Sequence, residues 1–348
     1  MNTTRTHTAG RRLAASALFV VFLFLSSVAV GAAARGGSSA EGCTGTYGWP
    51  VKPFDRAHPI RGSFGDPRTI FDGPPTRETL HSGDGRFSFH QGVDVSAPNG
   101  ERVYAVADGI VATVTREWVG VDCGNGRSFE YWHVAAKVRA GQRVEAGESV
   151  VGFVQRPAGH VHLTHLENGI SVNPVARGRL TPYEDTTDPQ ILGIALRRAD
   201  GAPDEMPHFV RGDVQLIVEA VDEPALHVQG LWSDLPVTPA RITWRIERWT
   251  GRVVIREQVA RDVRERLPSA SRFWGTFARG TCQNFAVFGR HYSYLQAGRY
   301  LFRLSEQPFD TRRLRDGVYA LVVTASDIAG NRDVQRLRFT VHNRAGWR

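Results

Sequence analysis

The chain has 348 residues, 41% of them hydrophobic, and a formal charge of +8 from 43 Lys and Arg against 35 Asp and Glu. That length accommodates two domains of ordinary size, and a basic balance fits an anionic partner such as a cell wall or another anionic wall polymer. Nucleic acid is excluded as that partner, because the arginines are interleaved with acids, as in LRRAD (196–200) and RRLRDG (312–317), and form no long basic block.

Arg5, Arg11 and Arg12 open the chain without an acidic residue, an apolar stretch runs from Leu13 to Val30, and GAAA follows at 31–34. This order of basic, apolar and small-residue regions reads as a secretory signal peptide over residues 1–34. An eighteen-residue apolar stretch also approaches a minimal membrane span. The well-placed small residues argue for cleavage near Ala34 instead, and no later run approaches a span, so the mature chain is expected to carry none. Arg11-Arg12 is a twin-arginine pair without the rest of that export motif. Export to the periplasm, cell envelope or medium is expected, with a charge of +5 once the three leader arginines are gone. The three cysteines allow at most one intramolecular disulfide. Cys43 with Cys123 would tie an N-terminal tail to the first domain, Cys123 with Cys282 would tie two domains, and both pairings remain open.

From Tyr47 onward the chain is rich in glycine, valine and short turn signals. VYAVADGIVATV (103–114) reads as two strands around Asp108-Gly109, and VRAGQRVEAGESVVGFV (138–154) places Ala-Gly turns between short valine-rich strands. Helical periodicity is nowhere sustained, so residues 47–180 are expected to form an all-β domain. Residues 181–206 are richer in proline and acid and read as a linker, whose PQILGIAL piece is expected to pair with one of the domains. A second β domain is expected over 207–343. Val214, Leu216, Val218 and Ala220 alternate with their neighbours, as do Ile242, Trp244 and Ile246. VYALVVTASDIAGNRDVQRLRFTV (318–341) reads as a hairpin turned by Asp327 to Asn331, like the final strand pair of an immunoglobulin-like sandwich. WGTFARGTCQNFAVFGRHYSY (274–294) has the character of an insertion.

The chemistry begins at FHQGVDVSAPNG (89–100), where His90 and Asp94 are four apart and can share one metal. A lone His-x-x-x-Asp pair is usually structural. His160-Val161-His162 adds two imidazoles on one face of a strand, with Val161 turned into packing. His165, three positions beyond His162, falls on the opposite face and out of the site. Between these motifs lies EYWHV (130–134), where alternation places Tyr131 and His133 on one face and Trp132 on the other.

Taken together, HQGVD, YWH and GHVH resemble, in order and rough spacing, the lysostaphin-type, LytM-like peptidoglycan metallo-endopeptidases. GSFGDPR (62–68), VYAVADGIV, VRAGQRVEAGESVVG and NGISVNP (168–174) support the resemblance, which covers about residues 47–180 and leaves the C-terminal domain outside it. The resemblance implies an antiparallel β catalytic domain with one Zn²⁺ held by His90, Asp94 and His162, and with His133 and His160 as the catalytic histidines. Three protein ligands leave a fourth zinc position open to water, the pattern of catalytic sites. No His-Glu-x-x-His motif supplies a glutamate base, so the two histidines must move protons, which an unperturbed pKa near 6.5 suits. Which of them is the base stays open. The implied partner is peptidoglycan, cut by a monomeric exported enzyme.

Some positions depart from the family. Leu163 and Thr164 stand where an aromatic and a glutamate are usual, and altered packing is expected there. The family's pocket tyrosine has no assignable counterpart; Phe87 and Phe89 precede the first motif instead. Asp66, Asp72, His81 and Asp84 read as solvated loop polars rather than a cleft wall, and His58, His208, His227, His291 and His342 as non-catalytic. Two other functions compete with the enzyme. A degenerate relative that binds peptidoglycan or activates an amidase would normally have lost a ligand, and all five positions are present. A biotinyl or lipoyl carrier would need a lysine at a hairpin tip, which Lys137 is not.

Overall fold

The computed structural model describes residues 45–70, 85–199, 209–288 and 293–343, all within one compact unit, Ser39–Arg348. The leader, Cys43, Asp72, His81, Asp84, His208 and His291 lie outside the described residues. The protein is all-β. Among the described residues an eight-stranded antiparallel sheet runs in the order Ile60–Gly62, Val93–Ser96, His160–Glu167, Arg127–Trp132, Trp118–Gly124, Gly109–Val114, Arg143–Val144, with Ile170–Val172 paired beside the far end of His160–Glu167. A three-stranded sheet, Arg102–Tyr104, Val150–Val154 and Val134–Ala136, lies alongside it. The strands on either side of Asp108-Gly109 form as expected, but they go to different sheets and do not pair with each other.

Period-two alternation builds the first core. Val93 and Val95, Val161 and Leu163, Phe129 and Tyr131 all point to one side of the large sheet and are fully buried. Leu163, which departs from the family pattern, is part of this core. The Tyr131 hydroxyl accepts the Val106 amide N–H at 2.8 Å, so its one polar atom is satisfied inside. His165 is also in this layer, with no exposed surface. Its ring stacks on Phe129 at 4.7 Å and accepts a hydrogen bond from Arg127 Nε at 2.9 Å.

Residues 190–343 contribute a second core between two further sheets. One comprises Gln190–Arg198, Asp213–Val221, Leu301–Arg303 and Phe309–Asp310. The other comprises Phe209–Val210, Arg332–Val341, Gly317–Ser326, Arg241–Arg248 and Val253–Asp262. The last hairpin turns between Ser326 and Arg332, and Trp244 is buried in the core. Cys123 and Cys282 are both buried and are not bonded to each other.

The two cores meet through the segment that leads into the first motif. The hairpin of Pro67–Ile70 and Arg86–Phe89 carries Phe87 and Phe89 into the second core, where Phe87 meets Trp274 at 4.7 Å and Phe89 lies 5.5 Å from Phe273. Burying one such ring stabilises the contact by roughly 1.5–3 kcal/mol. Asp66, expected as a solvated loop polar, is instead 3% exposed. Its Oδ1 accepts the amide and hydroxyl of Thr238 at 2.9 and 2.7 Å, and its Oδ2 accepts the Ser63 amide at 2.7 Å. A buried carboxylate survives only with such partners. Arg261 completes the junction, donating to the Gly65 carbonyl and the Thr238 hydroxyl, each at 3.0 Å.

Candidate active site

Register places the site. His162 pairs with Asp94 on one side and Trp132 on the other, and His160 pairs with Ser96. Residues directly opposite in an antiparallel ladder share a face, so Asp94, His160, His162, Thr164 and Trp132 all look away from the core.

His90 is held from outside the sheet. Its amide donates to the Asp66 carbonyl at 2.8 Å, its carbonyl accepts the Gly65 amide at 2.9 Å, and its Nδ1 lies 2.8 Å from the Ser63 carbonyl. A carbonyl only accepts, so Nδ1 carries the proton and Nε2 is bare. His162 is fixed in the opposite sense: its Nε2 meets the Thr164 hydroxyl at 2.9 Å, which can take the ring proton and leave Nδ1 bare. His90 Nε2 and His162 Nδ1 lie 2.7 Å apart, and each is 3.0 Å from Asp94 Oδ1. Two lone pairs and a carboxylate oxygen repel at such distances unless a cation draws them together. The trio could therefore hold a metal ion, and neutral imidazole with carboxylate is the donor set that borderline divalent ions accept.

The electrostatics agree. Burial, reinforced by the Arg68 guanidinium, pushes His90 down to about 3, so it stays neutral and ligand-competent. Burial works against the Asp94 carboxylate, but the imidazoles of His90 and His160 and the Arg68 guanidinium hold it well below the usual carboxylate range. Arg68 Nη2 donates to Asp94 Oδ2 at 2.8 Å, which leaves Oδ1 for the trio. Gly62 makes room for that pair, since a Cβ there would stand 2.5 Å from Asp94 Oδ2.

His133 and His160 face each other at 4.5 Å between ring centroids. His133 gets there by a backbone turn that alternation does not foresee. The strand ends at Trp132, and His133 has φ +63°, a left-handed conformation uncommon outside glycine. Tyr131 and His133 therefore do not share a face: Tyr131 is core, and Trp132 lies on the site face beside His162. Trp132 stacks on Trp118 at 5.0 Å, giving that side an aromatic wall. Burial, then the neighbouring His160, pushes His133 down to about 3, and burial also lowers His160. His160 Nε2 lies 3.5 Å from Asp94 Oδ1.

All five residues expected in the site are thus brought together, and His165 is kept out. Arg68, Thr164 and Trp118 were not expected there, nor were Arg61, whose Nη2 lies 2.6 Å from His160 Nδ1, and Trp232, whose ring lies 3.9 Å from the Arg61 guanidinium. Parity alone puts Thr164 on the face of His160 and His162. Arg68 sits in the GSFGDPR motif, which gave no role for it. Nothing local marks Arg61 or Trp232.

Residues 88–174 match the family model described as Peptidase family M23. The chain carries an M23 peptidase domain. The chain is 34% identical over 120 residues to the DD-carboxypeptidase/endopeptidase Mpg of Neisseria meningitidis serogroup B, covering 32% of this chain and 28% of that protein. It is 32% identical over 104 residues to the peptidoglycan DD-endopeptidase ShyC of Vibrio cholerae, covering 27% of this chain and 24% of that one. The chain thus spans about a quarter of the length of the curated relatives it matches. Among solved structures, a zinc containing peptidase from Vibrio cholerae aligns at 25% identity over 37% of this chain and 39% of that one, with a TM-score of 0.29.

Proposed function

We propose that this protein is an exported zinc endopeptidase that hydrolyses the peptide cross-links of peptidoglycan. His90, Asp94 and His162 are its metal ligands, and His133 and His160 its proton-moving pair. The observation that carries this reading is the convergence of His90 Nε2, Asp94 Oδ1 and His162 Nδ1 to within 3.0 Å of one another, with a facing histidine pair beside them. The names of Mpg and ShyC support a D-amino-acid cross-link as the bond cut.

Zinc bound there would polarise the scissile carbonyl and lower the pKa of a bound water to about 7. The remaining work falls to the chain. Net hydrolysis adds the water oxygen to the carbonyl carbon, breaks the carbon–nitrogen bond and delivers a proton to the departing amine. His133 and His160, both neutral, stand where one can accept the water proton and pass it to the departing amine while the other gives the carbonyl oxygen a hydrogen bond. Asp94 stays ionised through Arg68, and the tautomers of His90 and His162 are set by Ser63 and Thr164, so the donor set is arranged in advance. The stacked Trp118 and Trp132 offer an apolar wall to an extended peptide. The C-terminal sheets, read as an immunoglobulin-like sandwich, hold His90 in place through Phe89 and Asp66.

The test is release of soluble muropeptides from purified peptidoglycan by the zinc-loaded mature protein, beside His160→Ala at equal metal content. New free amino termini from the wild type, lost in the variant, establish the endopeptidase, and fragment masses name the bond. Zinc binding without any release would favour a peptidoglycan-binding or amidase-activating relative.

A further inference from the structure

Arg61 is a buried arginine at the active site that the peptidase chemistry above does not use. It lies in the Ile60–Gly62 strand at the edge of the large sheet, 9% exposed, and burial pulls it down only to about 10, so it is charged at neutral pH. Its Nη2 has two hydrogens and two neighbours: the Ala158 carbonyl at 2.8 Å and His160 Nδ1 at 2.6 Å. The flat face of the guanidinium lies 3.9 Å from the centroid of the Trp232 ring. Stacking on an indole occupies that face and leaves the edge N–H groups free to donate.

Trp232 comes from the C-terminal part of the chain. It ends the short 3-10 turn Gly230–Trp232, in a loop closed at its base by paired amide–carbonyl bonds between Asp222 and Val237, at 2.8 and 2.9 Å. Val228 and Leu235 are buried and anchor the loop from within, while Leu226 and Leu231 are exposed. Thr238, which binds Asp66, follows directly. The loop is therefore pinned at both ends, and its tip delivers one aromatic ring to Arg61.

The consequence concerns the proton on His160. Its Nδ1 has two neighbours within hydrogen-bond reach, Arg61 Nη2 at 2.6 Å and the Ala158 carbonyl at 2.8 Å. A guanidinium can only donate and a carbonyl can only accept, so the two neighbours favour opposite tautomers. With Arg61 donating to Nδ1, the ring proton sits on Nε2, the nitrogen that faces Asp94 and the cleft. Remove Arg61 and only the carbonyl remains, which draws the proton onto Nδ1 and leaves a bare Nε2 in the cleft.

We propose that Arg61, clamped by Trp232, is a positioning residue that fixes His160 as the Nε2–H tautomer, so that the C-terminal part of the chain completes the active site. Resting on the peptidase reading, this divides the labour of the pair. His160 gives the carbonyl oxygen a hydrogen bond from Nε2–H, and His133 accepts the water proton and passes it to the leaving amine.

The test is nitrogen NMR of histidine-labelled, zinc-loaded protein, with His160→Gln used to assign the ring. The wild type should show the Nε2–H form at His160 and Arg61→Met the Nδ1–H form, with zinc content and the His165 signals unchanged. On peptidoglycan, Arg61→Met should lower kcat by about 100-fold with KM little altered, as expected for loss of one oxyanion donor. Arg61→Lys should restore part of it, and Trp232→Ala should lose about 2- to 30-fold. A wild-type ring protonated at Nδ1, or a tautomer indifferent to Arg61→Met, overturns the proposal. If Arg61→Met does not fold, Trp232→Ala carries the same readout: a wholly unchanged tautomer balance and kcat would sink the clamp. A tautomer that responds as stated in a protein that releases no muropeptide would leave the Arg61 device standing and remove the endopeptidase reading instead.

Discussion

The Asp66 carboxylate accepts both the amide and the hydroxyl of Thr238, at 2.9 and 2.7 Å, while the Asp66 carbonyl holds the amide of His90 at 2.8 Å. Three bonds thus run from the C-terminal part of the chain to a candidate metal ligand. Thr238→Val deletes the hydroxyl, strands one buried lone pair of Asp66 and one Arg261 N–H, and should lower stability by about 1–3 kcal/mol. Zinc affinity should fall with it. Urea unfolding read beside a chelator titration checks both; weaker folding with unaltered zinc affinity would show that Asp66 does not couple the two.

Thr164 offers a narrower perturbation. Thr164→Val keeps the shape but removes the acceptor for His162 Nε2, so the ring is no longer held with Nδ1 bare. Zinc affinity is expected to drop about 10- to 100-fold, with little change in unfolding of the metal-free protein. Competition with a coloured chelator measures it.

Two of the histidines outside the trio, His133 and His165, should separate cleanly from each other. His133→Ala should keep its zinc and lose about 100- to 10,000-fold in muropeptide release. His165→Ala leaves a hole against Phe129 and removes the acceptor that faces Arg127 Nε, so stability should suffer while kcat of the folded fraction stays at the wild-type value. Loss of zinc from His133→Ala would contradict the assignment of ligands.

Asp222 governs a pH effect on folding. It is buried beside Asp185 and Asp327, and burial first, then those two carboxylates, pushes it up to about 8. The folded chain therefore keeps this proton to higher pH than the unfolded chain does. The associated stability is fully present below about pH 4, where both states are protonated, and is lost as pH rises towards 8. Asp222→Asn cannot lose a proton, so its Tm should increasingly exceed that of the wild type as pH is raised through this window. Thermal melts across pH test this; a constant gap would exclude Asp222 as the cause.

Much of the candidate metal site was legible because its signals are local and periodic. The His160-Val161-His162 alternation and the four-residue step from His90 to Asp94 are written into short segments, and strand parity alone kept His165 out of the site. His133 shows where parity stops: one left-handed residue at a strand end re-aims a side chain, and alternation carries no sign of it. Asp66 was misjudged for a different reason. Its partner Thr238 is 172 positions away, and no local pattern reveals a contact made only once two sheets have docked. Arg61 and Trp232 belong to the same class. Phe87 and Phe89 precede the first motif without a role legible in the sequence, and their rings complete the second core.

The pairing of His162 with Asp94 and Trp132 has a consequence for how the protein can be monitored. Sliding the His160–Glu167 strand by one position would turn Val161 and Leu163 to the cleft and both histidines to the interior. A misregistered chain would then lose its binding centre and its apolar packing in the same event. Bound zinc per chain should therefore report the fraction of molecules with correct strand register, and a preparation with substoichiometric metal that will not take up more should be read first as a folding failure.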